Sequence, residues 1–172
     1  MGLRVFNTLS RLVEPFEPLD PAGKKVGLYC CGPTVHDFAH IGNFRTFVFA
    51  DIVRRHLAFR GFDVCHVMNI TDVEDKIIRR VNESAKTLAE FTDEHEQAFL
   101  TDLEALGCLM PDERPHATKF IGPIINLIKK LKENGIAYHA NDGSVYFSIE
   151  KYREAGNRYG QLLNLNLEAM RP

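Results

Sequence analysis

A chain of 172 residues with 45% apolar composition can bury one substantial core, so one domain is expected, with a second at most begun. Lys and Arg total 21 against 23 Asp and Glu, a formal net charge of -2, which supplies no global field for nucleic acid and leaves any such contact to local patches. No apolar run reaches the ~18 residues of a membrane span, and MGLRVFNTLSRL lacks the apolar segment of a secretory signal, so no membrane partner and a cytoplasmic location are expected. The four cysteines, Cys30, Cys31, Cys65 and Cys108, form no CxxC pair, and reduced thiols are the default.

In chain order, Pro15, Pro18 and Pro21 exclude a helix and mark an extended lead-in that ends at the Ala22-Gly23 turn. Val26 to Cys30 is apolar at nearly every position, as in a strand covered on both faces, and it breaks at Gly32-Pro33. Phe44, Phe47, Val48, Ile52 and Leu57 then recur at helical spacing, with Asp51, Arg54 and Arg55 largely on another side and Gly61 placed to end the helix. Asp63 to Ile70 is rich in β-branched residues and reads as a second strand. Strand, helix and strand make a βαβ unit whose two strands should run parallel, with ligand-binding turns at their C-terminal ends.

Thr71 and Glu74 match a capping box, as do Thr87 and Glu90, so two helices are expected, or one interrupted near residues 82–84, their apolar face running through Leu88, Phe91, Phe99, Leu103 and Leu106 to Gly107. CLMPDERP reads as an irregular linker. Ile121, Ile124, Ile125, Ile128 and Leu131 mark a further helix ending at Gly135, and runs at 136–140 and 144–149 flank Asn141-Asp142-Gly143 as a hairpin. The tail from Lys151 is weakly patterned, with a short helix possible around 165–170.

The chemistry concentrates in Val26 to Arg45, because strand, small-residue turn and helix N-terminus is an arrangement that holds phosphate through free N–H groups and the helix dipole. Thr34 offers a hydroxyl, His36 and His40 ring donors, Asn43 an amide, and Gly42 a place where a flat base can approach the backbone. The alternative is that the histidines are solvated turn residues and Gly42 simple punctuation. Cys31, at the same strand end, could be a metal ligand, a nucleophile or a core thiol; spacing alone favours the core thiol, since no cysteine or histidine stands at zinc-finger spacing from it. Asn69 to Asp72 could face the same ligand, although capping also accounts for Thr71. Asp72, Glu74 and Asp75 could hold Mg²⁺ or an ammonium group, against the ordinary reading of an acidic first turn. Lys76, Arg79 and Arg80 read as a solvated helix face.

These motifs, taken together and in order, resemble the N-terminal part of the cysteinyl-tRNA synthetases, a family of class I aminoacyl-tRNA ligases, along nearly the whole chain. The resemblance runs through FNTLSRLVEPFEP, YCCGPTVHDFAHIGNFRT, NITDVEDKII, PHATKFIGPIINLIKKL and GSVYFSI. It implies an α/β fold, the first half of a Rossmann-type parallel sheet carrying a HIGH-type signature, over residues 1–115. Residues 116–172 would supply a further helix, a β-hairpin and the start of an inserted connective segment. It implies ATP-dependent activation of L-cysteine to cysteinyl-adenylate and transfer to tRNA(Cys), with ATP–Mg²⁺ as substrate and a monomeric enzyme.

By the same resemblance His40, Asn43 and Thr34 would be catalytic, and Gly32, Pro33, Thr34, His40, Gly42, Asn43 and Thr46 would bind ATP and the adenylate. Cys31, Gly32, Thr46, Asn69 and Thr71 would bind cysteine. Cys31 would be one of four protein ligands to a single Zn²⁺ that takes the substrate thiolate, the other three lying beyond residue 172, which reverses the core-thiol reading. No KMSKS-like stretch is present, so the chain is expected to be inactive or very weak alone. His36 stands where tyrosine is usual, Glu74 where aspartate is common, and YGQLLNLNLEAM departs from the family pattern. Two other readings are a related cysteine ligase of mycothiol synthesis and a non-catalytic nucleotide-binding module.

Overall fold

The computed structural model describes residues 2–163, so the possible helix at 165–170 and most of YGQLLNLNLEAM lie outside the described residues. The chain forms two compact units, Pro18–Ile121 and Met1–Glu17 with Gly122–Pro172. The lead-in is more than extended. Strands β1 (Arg4–Asn7) and β2 (Leu12–Pro15) pair antiparallel. Their loop is closed by Asn7, whose Oδ1 accepts from Leu9 N–H and whose carbonyl accepts from Arg11 N–H, with Arg11 at φ 63°.

In the larger unit, β3 (Lys25–Cys30), α1 (Ile41–Phe59) and β4 (Asp63–Met68) form the expected parallel βαβ unit, with Val26 opposite Val64 and Cys30 opposite Met68. Helix α1 ends as glycine at this position requires: Gly61 has φ 89°, a conformation that other residues adopt only with strain. One expectation fails. Along β3 only alternate side chains turn inward, Val26 buried and Leu28 and Cys30 half-buried, while Tyr29 is 66% exposed. The strand is covered on one face, as a two-stranded ribbon with a period of two dictates.

Helix α2 (Asp75–Asn82) and helix α3 (Leu88–Ala105) are separate, and α3 begins with the expected reciprocal Thr87–Glu90 box. The Thr71–Glu74 box does not form: Glu74 itself is the residue preceding α2 and makes no side-chain cap. Thr71 instead continues the line of β4, its N–H donating to the Pro33 carbonyl and its own carbonyl accepting from Val35 N–H. The core has two parts. Phe44, Phe47, Met68, Phe99 and Leu103 pack together, with the Phe44 and Phe99 rings stacked at 5.6 Å and Phe47 edge-on to Phe99 at 4.8 Å. Val35, Ile70, Ile77 and Phe91 form the second cluster beneath the loop that follows β3.

The stretch read as an irregular linker is a strap laid along β4. Met68 N–H donates to the Glu113 carbonyl and Ile70 N–H to that of Pro115, giving parallel bridges at Val67–Glu113 and Ile70–His116. Helix α1 holds the strap with the side that carries Asp51, Arg54 and Arg55. Arg54 grips both Asp112 carboxylate oxygens and the Met110 carbonyl; Arg55 reaches the Gly107 carbonyl and Asp51; and Asp51, only 8% exposed, accepts from Leu109 N–H. A short 3₁₀ turn, Ala117–Phe120, follows, and Asp72 clamps it by accepting from both the N–H and the hydroxyl of Thr118.

In the other unit, α4 (Ile121–Glu133) ends before Gly135, and β5 (Ala137–His139) pairs antiparallel with β6 (Val145–Phe147) across a loop containing Gly143 at φ 86°. Helix α5 (Ile149–Glu154), capped by the Ser148 hydroxyl, was not foreseen. Among the described residues no helix is long and apolar enough to cross a membrane.

Candidate active site

A cavity of about 480 Å³ opens where β3 ends and α1 begins. Cys31, Gly32, Pro33, Thr34, His40, Gly42, Asn43 and Thr46 all line it, and Asn69 and Thr71 do not. Those two stand behind its floor. Asn69 Oδ1 accepts from the Tyr29 hydroxyl at 2.8 Å and from Gly32 N–H at 3.2 Å, while its amide donates to Thr71 Oγ1 at 3.3 Å. Gly32 is required by this approach: a Cβ there would lie 1.8 Å from the Asn69 carbonyl oxygen. The two strand ends are thus locked edge to edge, which fixes the loop that carries the cavity's polar groups.

At the head of α1, His40 and Asn43 form a reciprocal cap. His40 Nδ1 accepts from Gly42 N–H at 3.0 Å, and Asn43 Oδ1 accepts from His40 N–H at 3.0 Å. Asn43 N–H is also committed, donating to the His40 carbonyl at 2.9 Å. The expectation that free backbone N–H groups would meet an anion is therefore corrected, because two of the first N–H groups are used inside the turn. The cap shifts that capacity to side chains. With Nδ1 accepting, the neutral His40 ring carries its proton on Nε2, and with Oδ1 accepting, Asn43 has its Nδ2 amide left to donate. Both ends can serve anionic oxygens, beside the positive end of the helix dipole.

Neighbouring groups set the loop's shape. Asp37 holds Phe38 N–H at 2.9 Å and pairs with Arg80 of α2 at 2.8 Å, so Arg80 is not merely part of a solvated face, whereas Lys76 and Arg79 are exposed. The Phe38 N–H first, then the Arg80 charge, lowers the Asp37 carboxyl below the usual carboxylate range. His36 turns its Nδ1 back to the Thr34 carbonyl at 3.1 Å. Cys31 is exposed at the cavity rim, while Cys30 points inward and burial raises its thiol. Asp72 is buried in its clamp on Thr118, which uses both of its oxygens. Among the described residues no three His, Cys, Asp or Glu side chains come together as a metal site. His95 and Phe99 of α3 also line the cavity; the helical period marks Phe99 as part of the apolar face, whereas no local pattern in the sequence signals His95.

The family model for the catalytic domain of class I (C) tRNA synthetases matches residues 16–171. The chain belongs to this family. Relatives named "Cysteine--tRNA ligase" include that of Chlamydia muridarum, 47% identical over 99% of this chain and 34% of its own length. That of Koribacter versatilis is 46% identical over 91% of this chain and 31% of its own length, and that of Pyrococcus horikoshii 42% identical over 99% and 34%. The chain spans about a third of the length of these relatives. As a class I (C) synthetase catalytic-domain chain it combines α and β elements around a parallel βαβ unit, and the HIGN segment, residues 40–43, is the head of α1.

Proposed function

We propose that this chain is the adenylate-binding part of a cysteine–tRNA ligase, which activates L-cysteine with ATP to cysteinyl-adenylate and passes the aminoacyl group to tRNA(Cys). The observation that carries the reading is that the eight residues named for ATP and the adenylate or for Cys31's role line one cavity, with two paired donors at its helical end. Activation joins the cysteine carboxylate to the α-phosphorus and expels pyrophosphate, with charge building on phosphoryl oxygens. His40 Nε2–H and Asn43 Nδ2–H are aimed by the cap and would donate to those oxygens without reorganising, which is electrostatic catalysis rather than nucleophilic catalysis. Thr34 and Thr46 hydroxyls line the same space, and Asn69 and Thr71 act from behind by fixing Gly32 and the loop.

The finer fold assignment belongs to this proposal: residues 1–115 as the first half of a Rossmann-type domain and 116–172 as a helix, a hairpin and the start of a connective insertion. The parallel β3–α1–β4 unit supports it. Cys31 is proposed as one ligand to a zinc ion that would hold the substrate thiolate and discriminate against serine, because Zn²⁺ prefers sulfur. Among the described residues no group of three or more His, Cys, Asp or Glu side chains gathers at Cys31, so these residues do not by themselves make up a metal site.

Calorimetric titration of the chain with ATP–Mg²⁺ tests the reading, with binding expected in the wild type and loss in His40→Ala. Equal affinity in both removes the phosphate assignment. Strong cysteine-dependent ATP–pyrophosphate exchange by the 172-residue chain would show that it needs no further segment.

A further inference from the structure

Three histidines line the cavity, and main-chain contacts fix where the proton sits on each. His40 presents Nε2–H, as above. His95, on α3, does the opposite. Its Nδ1 lies 2.8 Å from the Phe91 carbonyl oxygen, which can only accept, so Nδ1 carries the proton and Nε2 of the neutral ring carries a lone pair. No partner for that Nε2 occurs among the described residues, although His95 is only 8% exposed. The ring is also fixed in place. It lies between Phe91, at 4.4 Å, and Phe38, at 4.9 Å, and Phe38 is itself part of the cavity wall and 59% exposed. His36 has its Nδ1 committed in the same way, but only within its own loop; His95 is the acceptor that a helix and two aromatic rings hold rigid.

We propose that His95 is a ligand-binding residue of this cavity, its Nε2 accepting a hydrogen bond from an amine N–H of the bound molecule. The cavity then has opposed ends: donors at His40 and Asn43 for phosphoryl oxygens, and an acceptor at His95 for a nitrogen-borne proton. The Nε2 is not among the fully buried atoms left without a partner, so it stays open to the cavity that His95 lines, and an acceptor facing a substrate cavity selects for molecules that donate to it. Resting on the adenylate reading, the amine belongs either to the adenine 6-position or to the amino acid's α-carbon. Both present N–H to an acceptor, and binding measurements separate them.

The tautomer is tested first, on the free chain with ¹⁵N-labelled histidine. Long-range proton–nitrogen correlations should show His95 Nδ1 as the protonated nitrogen and Nε2 as the lone-pair nitrogen; the reverse assignment overturns the proposal without any ligand. Calorimetry then compares ATP with purine riboside triphosphate, which lacks the 6-amino group, and L-cysteine with 3-mercaptopropionate, which lacks the α-amino group. The wild type should prefer the amine-bearing member of one pair by about tenfold, the worth of one hydrogen bond. His95→Phe should abolish that preference while leaving the amine-free compound's affinity and the melting temperature unchanged, and His95→Gln, which keeps an acceptor oxygen, should retain part of it. A preference that survives in His95→Phe overturns the role of His95 alone. Failure of all four compounds to bind the wild type overturns the adenylate reading of the cavity, and this proposal with it.

Discussion

The ring of His40 lies against Gly42: its Nδ1 accepts the Gly42 N–H at 3.0 Å, and a Cβ added at residue 42 would stand 2.9 Å from its Cε1. The glycine thus has a reason inside the helix cap, apart from any contact with a base. In Gly42→Ala the ring must swing away. Losing the cap costs about 0.5–2 kcal/mol, and the better helix propensity of alanine returns about 0.8–1 kcal/mol. The melting temperature should therefore move little while ATP affinity falls, because Nε2–H is no longer aimed. Calorimetry alongside a thermal melt checks this, and unchanged ATP binding would separate the cap from the site.

Gly32 answers to a different constraint. Its missing Cβ would sit 1.8 Å from the Asn69 carbonyl oxygen and 2.8 Å from Met68 Cγ, and the first of these is main chain that cannot rotate aside. Gly32→Ala should spread the ends of β3 and β4 and destabilise the fold by about 1–3 kcal/mol or more, as overpacking does. Urea unfolding followed by circular dichroism should show a lower midpoint with an unchanged slope. A wild-type midpoint would mean that the strand ends part freely.

Asp72 is 6% exposed and receives both the N–H and the hydroxyl of Thr118, beside the Ala117 N–H bond to the Ile70 carbonyl that also ties the 3₁₀ turn to the end of the β4 line. Asp72→Ala leaves those two donors without their acceptor. Hydrogen bonds to a charged group contribute about 1.5–3 kcal/mol, so a loss of that order is expected, with faster amide exchange concentrated at residues 117–120. Uniform loss of protection across the chain, with no local excess, would refute the clamp.

His66 is 2% exposed, and neither ring nitrogen has a partner. Burial first, then the nearby Arg54 charge, lowers its pKa, against the opposite pull of Asp112 and Asp51. The unfolded chain therefore takes up this proton at a higher pH than the folded one. Its contribution is complete above the free imidazole value of about 6.5 and is lost as pH falls from there toward the lowered folded value. Urea midpoints across that window should fall with acid in the wild type and fall less in His66→Leu. Parallel slopes for the two would assign the acid sensitivity elsewhere. Asp112, lowered chiefly by the His66 N–H and then by Arg54, acts in a separate window, stabilising above the ordinary carboxylate range and ceasing to do so as pH drops through its own lowered value.

The βαβ unit was legible because its signals are local: an apolar run, a helical period, a glycine at φ 89° after α1. The Thr87–Glu90 cap was legible for the same reason. Asp51 could be placed only on another side of α1 from the apolar residues, and its burial was not legible because its partner, Leu109 N–H, lies 58 residues on. The strap escaped notice because Pro111 and Pro115 disguise it, although the residues between them pair with β4. Thr71 shows the converse error, a capping motif whose local pattern lost to pairing with Pro33 and Val35. The β1–β2 hairpin has no glycine in its loop and relies on Arg11 at φ 63°. At the site, the HIGN segment could be read directly, whereas His95 joins the cavity only through the packing of α3.

The strap has a further consequence. The edge of β4 away from β3 is already taken by the strap, whose Glu113 and Pro115 carbonyls accept from Met68 and Ile70 N–H. Among the described residues β3 pairs with β4 alone, so its far edge presents backbone donors and acceptors in open register. The ribbon is a template with one live side and one blocked side. Any strand recruited to it can be seeded against β3, and reaches β4 only by displacing the strap and the Arg54 and Arg55 contacts that hold it.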